Sequence, residues 1–246
     1  MKKLFFSILG FLSCVFTEAQ TPIRLRSGIS LSNLEADMKD KWHYDYRNRL
    51  YGGIATSIHL FDFFYLQPEL NYMPQGAWQT GVQLIPEYIC KEKGLPIKPT
   101  LYTGYNNSIK LDYVEASVLF KVEYGNRFKY FVAIGPYISI LVGARQTVSG
   151  NGVVYLDEKG TIPFVSGNST LHVSFNDAYK VRSDYKTINF GVEGGWGVAY
   201  DIGSGIILAE CRNIMGINNI QKDQNRYGKK QTNSLSFGIG YTFKIK

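Results

Sequence analysis

Long apolar runs are missing from the body of this sequence. Beyond the first residues nothing approaches the ~18 consecutive apolar residues that mark a membrane-spanning helix. The nearest stretch, Phe131 to Val142, is interrupted by Gly135 and Pro136. Histidine is scarce as well, with three in the chain, and cysteine is as rare. No His or Cys pair stands at metal-ligand spacing, so neither a metal centre nor a cofactor is expected. His43, His59 and His172 fall far apart, and no Ser-His-acid set gathers on neighbouring segments, so no catalytic residues are assigned. Internal repeats and long helical periodicity are lacking too. The formal charge of +7 is scattered, without the basic stripe that a nucleic-acid interface needs.

Aromatics and glycine are plentiful: 18 Tyr, 15 Phe and 25 Gly in 246 residues. The chain opens with Lys2 and Lys3, an apolar stretch from Leu4 to Phe16, and Thr17-Glu18-Ala19. This order reads as an export signal over residues 1–19, cut after Ala19, leaving 20–246 as one domain. Processing as a lipoprotein at Cys14 is the rival, although Phe11-Leu12-Ser13-Cys14 matches the required pattern poorly.

Eight segments alternate apolar and polar residues with period two, as strands with two different faces do. They are 23–34, 50–60, 63–74, 110–123, 128–142, 187–200, 205–215 and 233–244. Tight links at 61–62, 124–127 and 201–204 alternate with long ones at 35–49, 75–109, 143–186 and 216–232. Membrane barrels sort their connections this way, with short periplasmic turns and long extracellular loops. The predicted fold is therefore all-β: an eight-stranded antiparallel up-and-down barrel across an outer membrane, both termini periplasmic. The third long link contains a candidate hairpin, 152–156 against 171–175, which would extend above the membrane or give ten spanning strands.

The apolar faces are long and unbroken, as in Phe128, Tyr130, Val132, Ile134, Pro136, Ile138, Ile140 and Val142. Aromatics gather at their ends, where bilayer interfaces favour them. The opposite faces are polar and rich in glycine, which suits a narrow lumen. That reasoning points the apolar faces at lipid. Cys211 then faces lipid and Cys90 lies in a loop, so a disulfide between them is not expected. Pro68 and Pro136 lie within strands and predict a bulge or an opened ladder at each.

The inward face gathers Glu69, Glu115, Glu193 and Glu210 with Arg24, Arg26, Lys121, Lys129 and Arg212. An eight-stranded barrel is just wide enough for side chains to fill. Buried charges must be paired, so these residues are expected to plug the pore. Candidates for outside contacts lie in the loops: Trp78, Tyr88, Lys91, Lys93 and Lys98 in the second, and Arg226, Lys229 and Lys230 in the fourth. Basic residues there would meet lipopolysaccharide phosphates. The expected role is that of a non-catalytic envelope protein acting through its loops, or of an accessory subunit. Its expected partners are outer-membrane lipid, lipopolysaccharide and another outer-membrane protein. A narrow channel or secretion accessory is the alternative, and a lipid-A-modifying enzyme a third.

Several short motifs occur in a telling order. They are Ser27-Gly28-Ile29-Ser30-Leu31-Ser32-Asn33-Leu34, Leu66-Gln67-Pro68-Glu69-Leu70-Asn71-Tyr72 and Tyr113-Val114-Glu115-Ala116, followed by Gly135-Pro136-Tyr137, Glu210-Cys211-Arg212 and Gly216-Ile217-Asn218-Asn219-Ile220. Phe237-Gly238-Ile239-Gly240-Tyr241-Thr242-Phe243 closes the series. The set resembles the outer-membrane β-barrel domain proteins often labelled PorT-like. The resemblance covers the whole mature chain and implies an eight-stranded barrel without a defined activity. Ala116 and Asn213 depart from it, standing where Pro and Tyr are usual.

Overall fold

The structure is a computed structural model and describes residues 22–36, 45–224 and 228–244. The expected export segment lies outside the described residues. Among the described residues fourteen strands follow one another: β1 (Ile23–Ala36), β2 (Arg47–Thr56), β3 (Ile58–Phe61), β4 (Phe64–Gln79), β5 (Val82–Leu84), β6 (Tyr102–Gly104) and β7 (Asn106–Gly125). Then come β8 (Phe128–Tyr155), β9 (Val165–Ser166), β10 (Ser169–Thr170), β11 (His172–Lys180), β12 (Ile188–Asp201), β13 (Gly205–Gly216) and β14 (Lys230–Phe243). A short α-helix, α1 (Glu87–Glu92), sits between β5 and β6, and a single 3-10 turn among the described residues, Arg182–Asp184, precedes β12.

Eight of these strands close a ring, every neighbour antiparallel: β1, β2, β4, β7, β8, β12, β13, β14 and back to β1. Closure leaves the ring no edge and satisfies backbone polar groups from strand to strand, which a spanning sheet requires. One end carries the tight turns. Asp62 (φ 47°) turns between β3 and β4, Gly125 (φ 118°) between β7 and β8, and Gly203 (φ 89°) between β12 and β13. Loops occupy the other end. The second is shorter than expected, because β4 runs on to Gln79 and β7 begins at Asn106.

The third connection settles the strand count. β8 pairs with β12 over residues 128–140, inside the ring. Its upper half parts from β12 and pairs with β11 on that side, as in Gly152 opposite Val173 and Val153 opposite His172, while keeping β7 on the other as far as Ser149. The expected hairpin therefore stands on top of the ring, and ten spanning strands are excluded. Where the two regimes meet, the register slips: Asp112 faces Gly143 but Tyr113 faces Leu141. Val142 is the extra residue of a bulge, which reverses the side-chain parity of β8 above it.

Inward and outward faces are inverted relative to a water-soluble barrel. Ile54, Leu70, Val118, Ile134, Trp196, Phe237 and Ile239 point outward and are exposed. Arg26, Glu69, Glu115, Lys121, Glu193 and Arg212 point inward and are buried. Aromatics crowd the turn end, where Phe63 packs on Phe64, Tyr124 on Tyr130 and Tyr241 on Phe243. Both prolines open a ladder as expected. β2 and β3 face β4 in one register as far as His59–Tyr65, but pairing lapses between Ala55–Glu69 and Ile58–Leu66, beside Pro68. The β7–β8 ladder lapses between Ser117–Tyr137 and Phe120–Ile134, beside Pro136. Cys90 is buried in α1, and Cys211 lies on the ring strand β13, so the two occupy different parts of the fold.

Candidate functional site

The lumen is stacked in layers. Phe131, Ala199 and Leu208 close the turn end. A layer of charges lies above them. Tyr51, Met73, Tyr137 and Ile214 form an apolar layer next. Leu34, Ala77, Ile109, Leu111, Tyr113, Leu141, Ala144, Val181, Tyr185 and Ile220 fill the mouth.

Glu69 on β4 organises the charged layer. Arg212 on β13 donates to both its oxygens, Nη1 to Oε2 and Nη2 to Oε1, each at 2.8 Å. Arg26 on β1 pairs with Glu69 as well and reaches Glu210 at 2.9 Å. Arg212 adds Glu210 at 2.9 Å and Glu193 at 3.6 Å. Such two-pronged guanidinium–carboxylate contacts fix geometry as well as charge. Glycine makes room for the long side chains. A Cβ on Gly195 would lie 2.6 Å from Arg212 Cγ, so any larger residue there would displace the arginine. Arg24 donates to Thr242 at 3.0 Å and to Gln67 at 2.9 Å. Nearer the turn end Lys121 pairs with Glu123, and Lys129 meets the same carboxylate at 2.7 Å. The Lys121 ammonium also lies 4.6 Å from the Phe131 ring centre.

The structure thus brings eight of the nine expected lumen residues into this network or its hydrogen bonds. Glu115 is the exception: it is buried, and neither carboxylate oxygen has a hydrogen-bond partner among the described residues. Three participants were missed. Glu123 completes the charges, giving five carboxylates (Glu69, Glu115, Glu123, Glu193, Glu210) against five cations (Arg24, Arg26, Lys121, Lys129, Arg212). Gln67 and Asn71 donate to Glu69. The signal for all three was present, since each shares the inward face of its strand with a residue already chosen.

The loop-end candidates scatter. Trp78 belongs to β4, half-exposed, with the Arg47 guanidinium 4.8 Å from its ring centre. Tyr88 packs on Tyr179 at 4.4 Å between ring centres. Lys91, Lys98 and Lys229 are exposed. Lys93 pairs with Asp177 at 3.5 Å and Glu92 at 3.6 Å. Lys230 is a correction: it is buried at the start of β14, because that strand begins three residues earlier than its alternation suggested. Arg226 lies outside the described residues. The loop end has its own core instead, with Ile85, Ile89, Cys90, Leu101 and Tyr105 packed on Val148, Val154 and Val173.

His59 sits at the turn end beside Asp62, and His172 in the hairpin at the other end; His43 lies outside the described residues. Among the described residues no helix is long and apolar enough to cross a membrane, which says nothing of crossing by strands.

No curated protein matches the chain. Solved structures similar to it include Neisserial surface protein A, with 12% identity, a TM-score of 0.41 and coverage of 91% of this chain and 97% of that one. Ail, the attachment invasion locus protein of Yersinia pestis, gives 9% identity, a TM-score of 0.39 and coverage of 92% and 100%. The N-terminal β-barrel domain of Pseudomonas aeruginosa OprF gives 9%, 0.30, and 89% and 97%. Residues 19–222 match a family described as "Outer membrane protein beta-barrel domain", reaching from the expected export segment to just before the closing strand. With that match over most of its length, the chain belongs to the outer membrane protein β-barrel domain family.

Proposed function

We propose that this protein is a non-catalytic barrel of the outer membrane that is closed to solutes and acts through its loop end. It presents a structural or interaction surface, either alone or as an accessory subunit of a larger outer-membrane complex. In this reading the tight turns and both termini face the periplasm, and the loop end faces outward. The observation that carries it is the layered lumen. A hydrogen-bonded ion-pair layer lies between apolar layers, under a loop end with its own core. A water-filled conduit needs a continuous polar path, whereas here the charged layer has a packed apolar layer on either side.

Planar-bilayer recording of the purified protein tests closure. No steady conductance is expected; a reproducible open level would instead favour the narrow-channel reading. Purification from membranes in mild detergent then separates a freestanding barrel from a subunit that brings a stoichiometric partner with it.

A further inference from the structure

The outward apolar faces end at Val114 on β7 and Val142 on β8. Just beyond, Lys110 on β7 stands directly opposite Arg145 on β8, and Arg145 directly opposite Lys180 on β11. Directly opposed residues share a face, with Cβ atoms about 5 Å apart, and like charges so placed repel. Three cations therefore form one line across three strands. None of the three side chains makes a hydrogen bond or ion pair with any other described residue. Asp112, whose charge reaches Lys110, is already engaged by Arg49 at 2.6 Å and by the Tyr72 hydroxyl at 2.7 Å.

The fold takes trouble to make this line. Without the bulge at Val142, strand parity would turn Arg145 into the lumen; the extra residue sends Ala144 inward and Arg145 out. Gly143, opposite Asp112, adds no side chain of its own between Arg145 and the apolar band, and the Asp112 carboxylate, held by Arg49 and Tyr72, lies over it. A ligand lying on this face would meet hydrocarbon-compatible surface below and three unneutralised cations at its upper edge.

We propose that Lys110, Arg145 and Lys180 dock the phosphate of a phosphorylated outer-leaflet lipid, whose acyl chains lie on the apolar band beneath. The site rests on the outward placement of the loop end given above. Charge complementarity selects the phosphate, and continuity with the band selects a lipid over a soluble anion.

The test is binding in nonionic detergent micelles, followed by native mass spectrometry. The probes are a bisphosphorylated lipid A, the same lipid without phosphates, and inorganic phosphate as competitor. The variants are Lys110→Gln/Arg145→Gln/Lys180→Gln, the single Arg145→Gln, and a control that removes equal charge elsewhere, Arg127→Gln/Lys159→Gln/Lys222→Gln. Folding of each is checked by heat-modifiable gel mobility. The triple row variant is expected to bind phosphorylated lipid about tenfold more weakly, since charge-assisted contacts carry the interaction. Arg145→Gln should fall between it and the wild type, the control should bind normally, and inorganic phosphate should fail to compete. Unchanged binding by the row variants, equal loss in the control, equal binding of the dephosphorylated lipid, or displacement by inorganic phosphate would each overturn the proposal. Micelles have no sides, so these results do not depend on which way the barrel faces in a cell.

Discussion

Glu69 receives both prongs of Arg212 and a further contact from Arg26, with no exposed surface on its side chain. Replacing it by Gln keeps the shape but leaves two buried guanidinium groups short of a counter-charge. Breaking a buried pair from one side costs about 3–5 kcal/mol. Glu69→Gln should therefore shift urea unfolding in lipid vesicles, followed by tryptophan fluorescence, by that order. Glu123→Gln, nearer the turn end and beside a partly exposed Lys129, should cost less. At the opposite extreme stands Asp157 in the hairpin connection. Its carboxylate accepts the amides of Ile162 at 2.7 Å and Thr161 at 2.9 Å and the Thr161 hydroxyl at 2.8 Å. These bonds, the Ile162 amide first, hold its pKa below the ordinary carboxylate value. A lowered pKa means the ordered turn is fully supported above the ordinary value, near pH 4, and is lost as pH falls through the lowered one. Amide exchange at Thr161 and Ile162 should accelerate below that range and be fast at all pH in Asp157→Ala.

At the scale of elements, α1, β5, β6 and β11 depend on one small core rather than on the membrane. Ile89 is fully buried there, against a group that includes Ile85, Val148, Val154 and Val173. Ile89→Ala should loosen this end by about 2–5 kcal/mol. Trypsin should then cut at Lys91 or Lys93 while the ring stays intact on a heat-modifiable gel. The elements also show why sequence reading stopped where it did. In the membrane band one face must be apolar, so period-two alternation marked every ring strand. Above the band that requirement lapses and the bulge at Val142 reverses the parity, so β8 was expected to end at 142 but runs to Tyr155. For the same reason β7 begins at Asn106 and not at 110. The charged layer was legible because Glu and Lys on an inward face are conspicuous; Gln67 and Asn71 resemble ordinary polar positions on that face. The cation line could not be read, since Lys110, Arg145 and Lys180 meet only through strand register.

For the molecule as a whole, the sidedness proposed above has a direct check. An epitope inserted after Gly167, at the tight turn between β9 and β10, should be detected on intact cells; one inserted after Asn126 should appear only once the outer membrane is permeabilised. The reverse result would turn the barrel over. The length of β8 carries a last consequence. Residues 143–155 continue β8 beyond its pairing with β12, which at about 3.3 Å per residue adds roughly 40 Å along the strand. The hairpin is thus a mast stepped into the barrel wall, one strand running from foot to top. With the loop end outward as proposed, anything arriving from outside would meet its tip well before the lipid surface, while the cation line at its foot would lie within reach of neighbours already in the bilayer. The two ends of one strand therefore address two different audiences, and a change that shortens the mast should silence one of them without touching the other.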